Sequence, residues 1–105
     1  MWTRIKKLLG WTPAVDYVDL LQKGAVIIDV RTASEFQQGH IKQAINMPLN
    51  GLNLSISKIK KDTIIITCCA SGMRSAAAKN TLKSIGFTTV YNGGGWSSLQ
   101  NKISH

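Results

Sequence analysis

The residues best suited to covalent chemistry lie in one short loop, which opens on Cys69 and contains Arg74 near its end. An apolar, β-branched run precedes this loop, and a helical pattern of apolar residues follows from Ser75. The backbone N–H groups of such a loop and the partly positive N-terminus of the helix both stabilise an anionic sulfur. We therefore expect the pKa of Cys69 to lie below that of a free cysteine, so that its thiolate is a nucleophile at neutral pH.

The neighbours of this cysteine define the rest of the predicted site. The predicted substrate-binding loop comprises Ala70, Ser71, Gly72, Met73, Arg74 and Ser75. Arg74 supplies a fixed positive charge for an anionic substrate, and Ser75 is also a candidate N-cap of the helix. Cys68 still belongs to the apolar run, and we interpret it as a core residue rather than a second reactive thiol.

Apolar runs predict four strands, and start and stop signals predict the helices between them. The runs over 25–30 and 64–68 are β-branched without alternation, which is typical of strands buried on both faces of a parallel sheet. The other predicted elements are strands over 44–47 and 88–91, a glycine turn over 92–95, and helices over 12–23, 32–38, 52–59, 75–85 and 96–103. Strands alternating with helices predict an α/β domain, in which ligands lie at the carboxyl ends of the strands.

Size and charge restrict the possible functions. The 105 residues suffice for one domain over 12–105, preceded by a basic extension over 1–11, and the net charge of +8 favours small anions and acidic partners. We expect no nucleic-acid binding, because basic residues and stacking aromatics are not interleaved. No apolar run approaches the ~18 residues of a membrane span, and the lack of an export signal favours the cytoplasm. The apolar stripe of the extension suits docking on the domain, an unfolded tail or a membrane surface.

Two cysteines and two histidines without metal-ligand spacing favour neither a metal site nor a cofactor. The cysteines are adjacent, and a disulfide between neighbouring residues closes a strained ring. We therefore expect reduced thiols.

Four segments of the chain resemble the single-domain rhodaneses, a family of sulfurtransferases. They are residues 28–36, 39–48, 69–75 and 86–95. The resemblance implies a rhodanese-like α/β fold, with a five-stranded, mostly parallel sheet flanked by helices on both faces. It also implies a persulfide on Cys69, which takes sulfane sulfur from a donor such as thiosulfate and passes it to a thiol, cyanide or protein acceptor.

The same resemblance suggests supporting roles for two other polar residues, and the neighbours of His40 suggest one for a third. Asp29 and Arg31 are expected to brace the fold through a buried ion pair and backbone bonds. His40 lies in a turn between Gly39 and Ile41, and we interpret it as a hydrogen-bonded structural histidine rather than a general base.

Two other functions would use the same loop residues. Tyrosine-phosphatase-like loops place five residues between cysteine and arginine, but only four lie between Cys69 and Arg74 here, which suits a sulfur atom better than a tetrahedral oxyanion. A persulfide carrier without efficient turnover on small donors would use the same Cys69, so the sequence leaves this alternative open.

Overall fold

A sheet of four parallel strands forms the centre of the structure, a computed structural model that describes residues 14–104. The strands are β1 Val26–Asp29, β2 Ile45–Asn46, β3 Ile65–Cys69 and β4 Val90–Gly95. They are ordered β2-β1-β3-β4, and every neighbouring pair is parallel. The resemblance implied five strands, whereas the described part of the chain contains four extended segments that pair.

Helices cover both faces of this sheet. They are α1 Tyr17–Gln22, α2 Ala33–Gln38, α3 Leu52–Ser55 with a 3₁₀ turn Ile56–Lys58, α4 Met73–Ser84 and α5 Trp96–Ile103. Alternate residues of β3 point to opposite faces, so that Ile65 packs with α3 and α4 while Ile66 packs with α1 and α5. The predicted α/β class, with helices on both faces, is confirmed.

Local signals placed two helices correctly. Thr32 and Glu35, whose spacing in the sequence predicts a capping box for the helix over 32–38, form one at the start of α2, which ends before Gly39. The last helix has the predicted bounds.

The predicted start of the first helix at Thr12 and Pro13 lies outside the described residues. Within them, α1 begins at Tyr17, because the carboxylate of Asp16 accepts a hydrogen bond from the backbone N–H of Asp19. Val15, which a helix over 12–23 would place on its buried face, therefore precedes the helix and is 41% exposed, so this part of the predicted helix is wrong.

The predicted glycine turn over 92–95 is wrong, because these residues extend β4. Asn92 pairs with Thr67, and Gly95 pairs with Cys69 after an irregularity in the register. A Cβ atom at Gly93 would lie 2.8 Å from the backbone oxygen of Thr67, closer than such atoms approach in real proteins. The strand approaches β3 this closely because glycine has no side chain.

A buried ion pair joins the end of β1 to the helix that follows it. The guanidinium of Arg31 donates to both carboxylate oxygens of Asp29 at 2.8–3.1 Å, and to the backbone oxygens of Glu35 and Gly39 at 3.3 and 2.7 Å. The side chains of Arg31 and Asp29 are 5% and 0% exposed. Asn46 of β2 donates to the backbone oxygens of both residues, which adds a third segment to the same network.

We expect Arg31→Met to lower the free energy of unfolding by about 3–5 kcal/mol, because it leaves the carboxylate of Asp29 buried without its partner. The measurement is urea denaturation followed by circular dichroism. Lys23→Met is the matched control: it breaks an exposed ion pair with Asp19, and should leave the free energy nearly unchanged. Equal losses in the two variants would contradict a bracing role for Arg31.

Candidate active site

Cys69 is the last residue of β3, at the carboxyl edge of the sheet. The strand runs one residue further than the sequence predicts, and the loop after it is correspondingly short. Helix α4 begins at Met73 rather than near Ser75, with Gly72 as its N-cap at a φ of 106°. Glycine adopts this left-handed conformation without a steric penalty, which permits the tight turn. The prediction of Ser75 as the N-cap is therefore wrong, since Ser75 lies in the first turn of α4.

The short loop brings backbone N–H groups onto the cysteine sulfur. The amide of Gly72 donates to the Sγ of Cys69 at 3.0 Å, and the amide of Ser75 donates at 3.3 Å. Burial alone would raise the pKa of Cys69, but hydrogen bonds from the Ser75 side chain and from the amides of Ser75, Gly72 and Ser71 outweigh it. The pKa of Cys69 therefore lies below its ordinary value, in the predicted direction.

The hydroxyl of Ser75 is shared between the cysteine and Asn92. Its oxygen lies 3.5 Å from the Sγ of Cys69 and 2.5 Å from the Oδ1 of Asn92. The backbone N–H of Gly94 also donates to Oδ1, at 2.9 Å, which fixes the amide orientation of Asn92 with its oxygen towards Ser75. A hydroxyl has one proton, so donation to a thiolate at Cys69 requires it to turn away from Asn92.

The adjacent Cys68 lies in a different environment. Its side chain is fully buried on the opposite face of β3, among apolar residues that include Ile66 and Leu99. Burial, with the nearby carboxylate of Asp29 as a smaller cause, raises the pKa of Cys68 to about 12. Cys68 is therefore a protonated core residue at neutral pH.

The rim of the site contains one ion pair that the sequence analysis missed. The Nη1 and Nη2 atoms of Arg74 donate to Oε1 and Oε2 of Glu35 at 2.7 and 2.9 Å. Arg74 and Glu35 lie in the first turns of α4 and α2, which follow the neighbouring strands β3 and β1. Parallel strands place such turns at the same edge of the sheet, and this topological signal could have identified the pair.

The remaining predicted loop residues face solvent or the loop backbone. Ala70 and Ser71 are exposed, and the side chain of Met73 is 82% exposed. These residues form the accessible side of the loop above the buried sulfur.

His40 makes contacts within its own segment of the chain. Its Nδ1 is 2.6 Å from the backbone oxygen of Phe36, and its ring stacks on the Phe36 ring with 3.7 Å between centroids. Because a carbonyl oxygen only accepts, this Nδ1 carries a proton.

Two negative observations apply to residues 14–104. No helix in this range has the length and apolar character that crossing a membrane requires. The same residues contain no cluster of three or more histidine, cysteine or acidic side chains arranged to hold a metal ion.

Comparison with known families matches residues 14–102 to the rhodanese-like domain. The chain belongs to this family. The matched range includes all four resembling segments, and the site cysteine lies within it, so the resemblance drawn from the sequence is confirmed.

Two relatives show how far the sequence similarity extends. The chain is 41% identical over 71 residues to thiosulfate sulfurtransferase PspE of Escherichia coli, covering 65% of this chain and 67% of that protein. It is 39% identical over 80 residues to the uncharacterized protein YqhL of Bacillus subtilis, covering 75% of this chain and 64% of that protein. The chain thus spans about two thirds of the length of these relatives.

Solved structures agree with the fold. An E. coli rhodanese determined with anions is 32% identical, with a TM-score of 0.64, and the match covers 71% of this chain and 91% of that one. The human single-domain sulfurtransferase is 26% identical, with a TM-score of 0.73, and the match covers 89% of this chain and 99% of that one.

We expect alkylation to distinguish the two cysteines. In a Cys68→Ala variant, the alkylation rate of Cys69 should rise with pH to an inflection below about 8.5, the pKa of a free cysteine. In a Cys69→Ala variant, Cys68 should remain unlabelled at neutral pH until the protein is unfolded. Iodoacetamide labelling followed by intact-mass spectrometry measures both, and an inflection at or above the free value would contradict the stabilised thiolate.

We also expect Asn92→Asp to raise the pKa of Cys69. A carboxylate at this position accepts the Ser75 proton more strongly than an amide and adds a negative charge near the thiolate. The same pH-dependent alkylation measures the shift. Asn80→Asp, which adds the same charge to an exposed position of α4, is the control. A lower or unchanged pKa in Asn92→Asp would show that Asn92 does not compete for the proton.

Proposed function

We propose that this protein is a sulfurtransferase that carries a sulfane sulfur as a persulfide on Cys69. The observation that carries the proposal is the position of the sulfur, buried at the strand end and hydrogen-bonded by the amides of Gly72 and Ser75 at 3.0 and 3.3 Å. These amides stabilise the thiolate before attack, and again when the acceptor displaces it as a leaving group.

The first half-reaction loads the cysteine. With thiosulfate as donor, the Cys69 thiolate attacks the outer sulfur, a new S–S bond forms, and the S–S bond of thiosulfate breaks. The electron pair of the broken bond leaves on sulfite. In this proposal Arg74, at the rim, contacts the anionic part of the donor, and the exposed backbone of Ala70 and Ser71 lines the approach.

The second half-reaction returns the cysteine to its starting state. An acceptor thiolate attacks the outer sulfur of the persulfide, a new acceptor S–S bond forms, and the Cys69 thiolate leaves. Cyanide reacts in the same way to give thiocyanate. The exposed side chain of Met73 lies where an acceptor thiol, including one on a protein, would approach.

The short loop supports sulfur over phosphate as the transferred group. Two of the loop amides are already directed at the Sγ of Cys69, and the turn is complete at Gly72. A tetrahedral oxyanion above the sulfur needs amides directed at its oxygens, and a wider loop provides them.

Three other polar residues support this site without contacting the sulfur. We assign Asp29 and Arg31 to bracing the fold through their buried ion pair. We assign His40 to the turn after α2, since its Nδ1 proton is committed to Phe36. We propose no cofactor, metal ion or nucleic acid in the reaction, and location in the cytoplasm remains a prediction.

A persulfide carrier is the second candidate, and the ion pair of Arg74 favours it. An arginine already bound to Glu35 is less available to a small anionic donor, which suits sulfur received from another protein. Turnover with thiosulfate and cyanide separates the two candidates, since a carrier loads once and then stalls.

We expect Cys69→Ser to abolish sulfur transfer, because a serine hydroxyl forms no persulfide. Cys68→Ala is the matched control, and should retain most of the activity of the parent. Intact-mass spectrometry after treatment with thiosulfate should find the mass of one added sulfur in the control and none in Cys69→Ser. Equal loss in two folded variants would contradict Cys69 as the sole sulfur-carrying residue.

A further inference from the structure

The carboxylate of Glu35 is held in place from two sides. Both of its oxygens accept from the guanidinium of Arg74, and its Oε1 also accepts from the backbone N–H and the hydroxyl of Thr32, each at 3.1 Å. One carboxylate thus completes the capping box of α2 and also forms the ion pair with Arg74 of α4. The guanidinium of Arg74, which extends from the first turn of α4, is therefore held by the first turn of α2.

This ion pair is accessible to an incoming anion. The side chains of Arg74 and Glu35 are 37% and 36% exposed. The hydrogen bond from Arg74, followed by that from Thr32, lowers the pKa of Glu35 to about 2. The carboxylate is consequently ionised throughout the pH range of an enzyme assay, and an anionic donor must compete with it for the arginine.

The two arginines at this edge of the sheet offer little free positive charge. Arg31 is bound to Asp29, and Arg74 is bound to Glu35, so each pair is neutral overall. The net charge of +8 comes from the whole chain, whereas the site contains two neutral pairs.

We propose that Glu35 determines donor specificity by competing with anionic donors for Arg74. This inference rests on the proposed sulfur transfer through Cys69. It predicts that the site prefers a donor whose leaving group carries one negative charge, such as an alkyl persulfide, to thiosulfate, whose leaving group carries two.

The two donors load the same cysteine but differ in the group that leaves. With an alkyl persulfide, the Cys69 thiolate attacks the terminal sulfur, and the alkyl thiolate leaves with the electron pair of the broken S–S bond. With thiosulfate, sulfite leaves with two negative charges. Both reactions give the Cys69 persulfide without an added oxidant or reductant, and only the second gains from a free Arg74.

The test compares kcat/KM for thiosulfate and for the persulfide of β-mercaptoethanol, whose leaving group carries one negative charge against two for sulfite, in the parent and in Glu35→Gln. Glutamine still accepts the capping hydrogen bond of Thr32, but it no longer neutralises Arg74. We expect kcat/KM for thiosulfate to rise by about tenfold, mainly through a lower KM, because a charge-assisted hydrogen bond to the donor becomes available. The value for the alkyl persulfide should change much less.

Two further variants test whether Glu35 acts through Arg74. In an Arg74→Ala background, adding Glu35→Gln should leave the ratio of the two kcat/KM values unchanged. Glu35→Asp keeps the charge but shortens its reach, and should give a ratio between those of the parent and Glu35→Gln. Because Glu35 is ionised at assay pH, its competition for Arg74 should contribute the same factor to the ratio at every pH at which both donors keep one ionisation state.

The controls separate donor choice from helix stability and net charge. Asp16→Ala removes the capping hydrogen bond of α1 and should lower the melting temperature without changing the donor ratio. Asp62→Asn removes one negative charge from an exposed turn before β3, at the opposite end of the sheet, and should also leave the ratio unchanged.

The outcomes are distinguishable. If neither donor loads Cys69, the proposed sulfur transfer fails. If both donors load Cys69 but folded Glu35→Gln uses thiosulfate no better than the parent, the role of Glu35 is overturned and sulfur transfer stands. A preference of the parent for thiosulfate over the alkyl persulfide would also overturn it.

Discussion

The donation of two backbone N–H groups to the sulfur of Cys69 is the interaction on which the rest of the site depends. Burial of the sulfur opposes its ionisation, and the pKa falls only because several hydrogen bonds act together. A hydrogen bond to a charged group typically contributes about 1.5–3 kcal/mol, so two or three are enough to reverse the cost of partial desolvation. The amides reach the sulfur because Gly72 turns the chain in the left-handed conformation, directly after a strand that ends on the cysteine.

The strands on either side hold this geometry in place. Glycines of β4 allow its backbone to approach β3 at the point where the loop begins, and Asn92 of the same strand accepts from Ser75 and donates to the backbone oxygen of Gly72. On the other side, the Asp29–Arg31 pair fixes the start of α2, and with it the carboxylate at the rim. The loop backbone is therefore held by Asn92 of β4, while the ion pairs of Asp29 and Glu35 hold the start of α2 and the arginine at the rim.

Much of the fold could be predicted from the sequence because its signals are local. The β-branched runs, the capping spacing of Thr32 and Glu35, and the bounds of α5 depend on neighbouring residues only. The strand end at Cys69, the start of α4 at Met73 and the extension of β4 through its glycines depend on pairing with distant backbone. The candidate cysteine could be predicted, because an apolar run before it and a helical pattern after it are local signals. The contact of Glu35 with Arg74 could not be predicted from local signals, because it depends on β1 and β3 being neighbours in the sheet.

The alternation of side chains along β3 has a consequence for the lifetime of a loaded sulfur. Cys68 and Cys69 are adjacent in the chain, but their side chains pack in separate clusters on opposite faces of the sheet. The thiol of Cys68 is also protonated at neutral pH, so it is neither placed nor ionised to attack a persulfide on its neighbour. Within residues 14–104, Cys68 therefore gives a persulfide on Cys69 no internal route of discharge, and under the proposed function the sulfur stays bound until an external nucleophile attacks it.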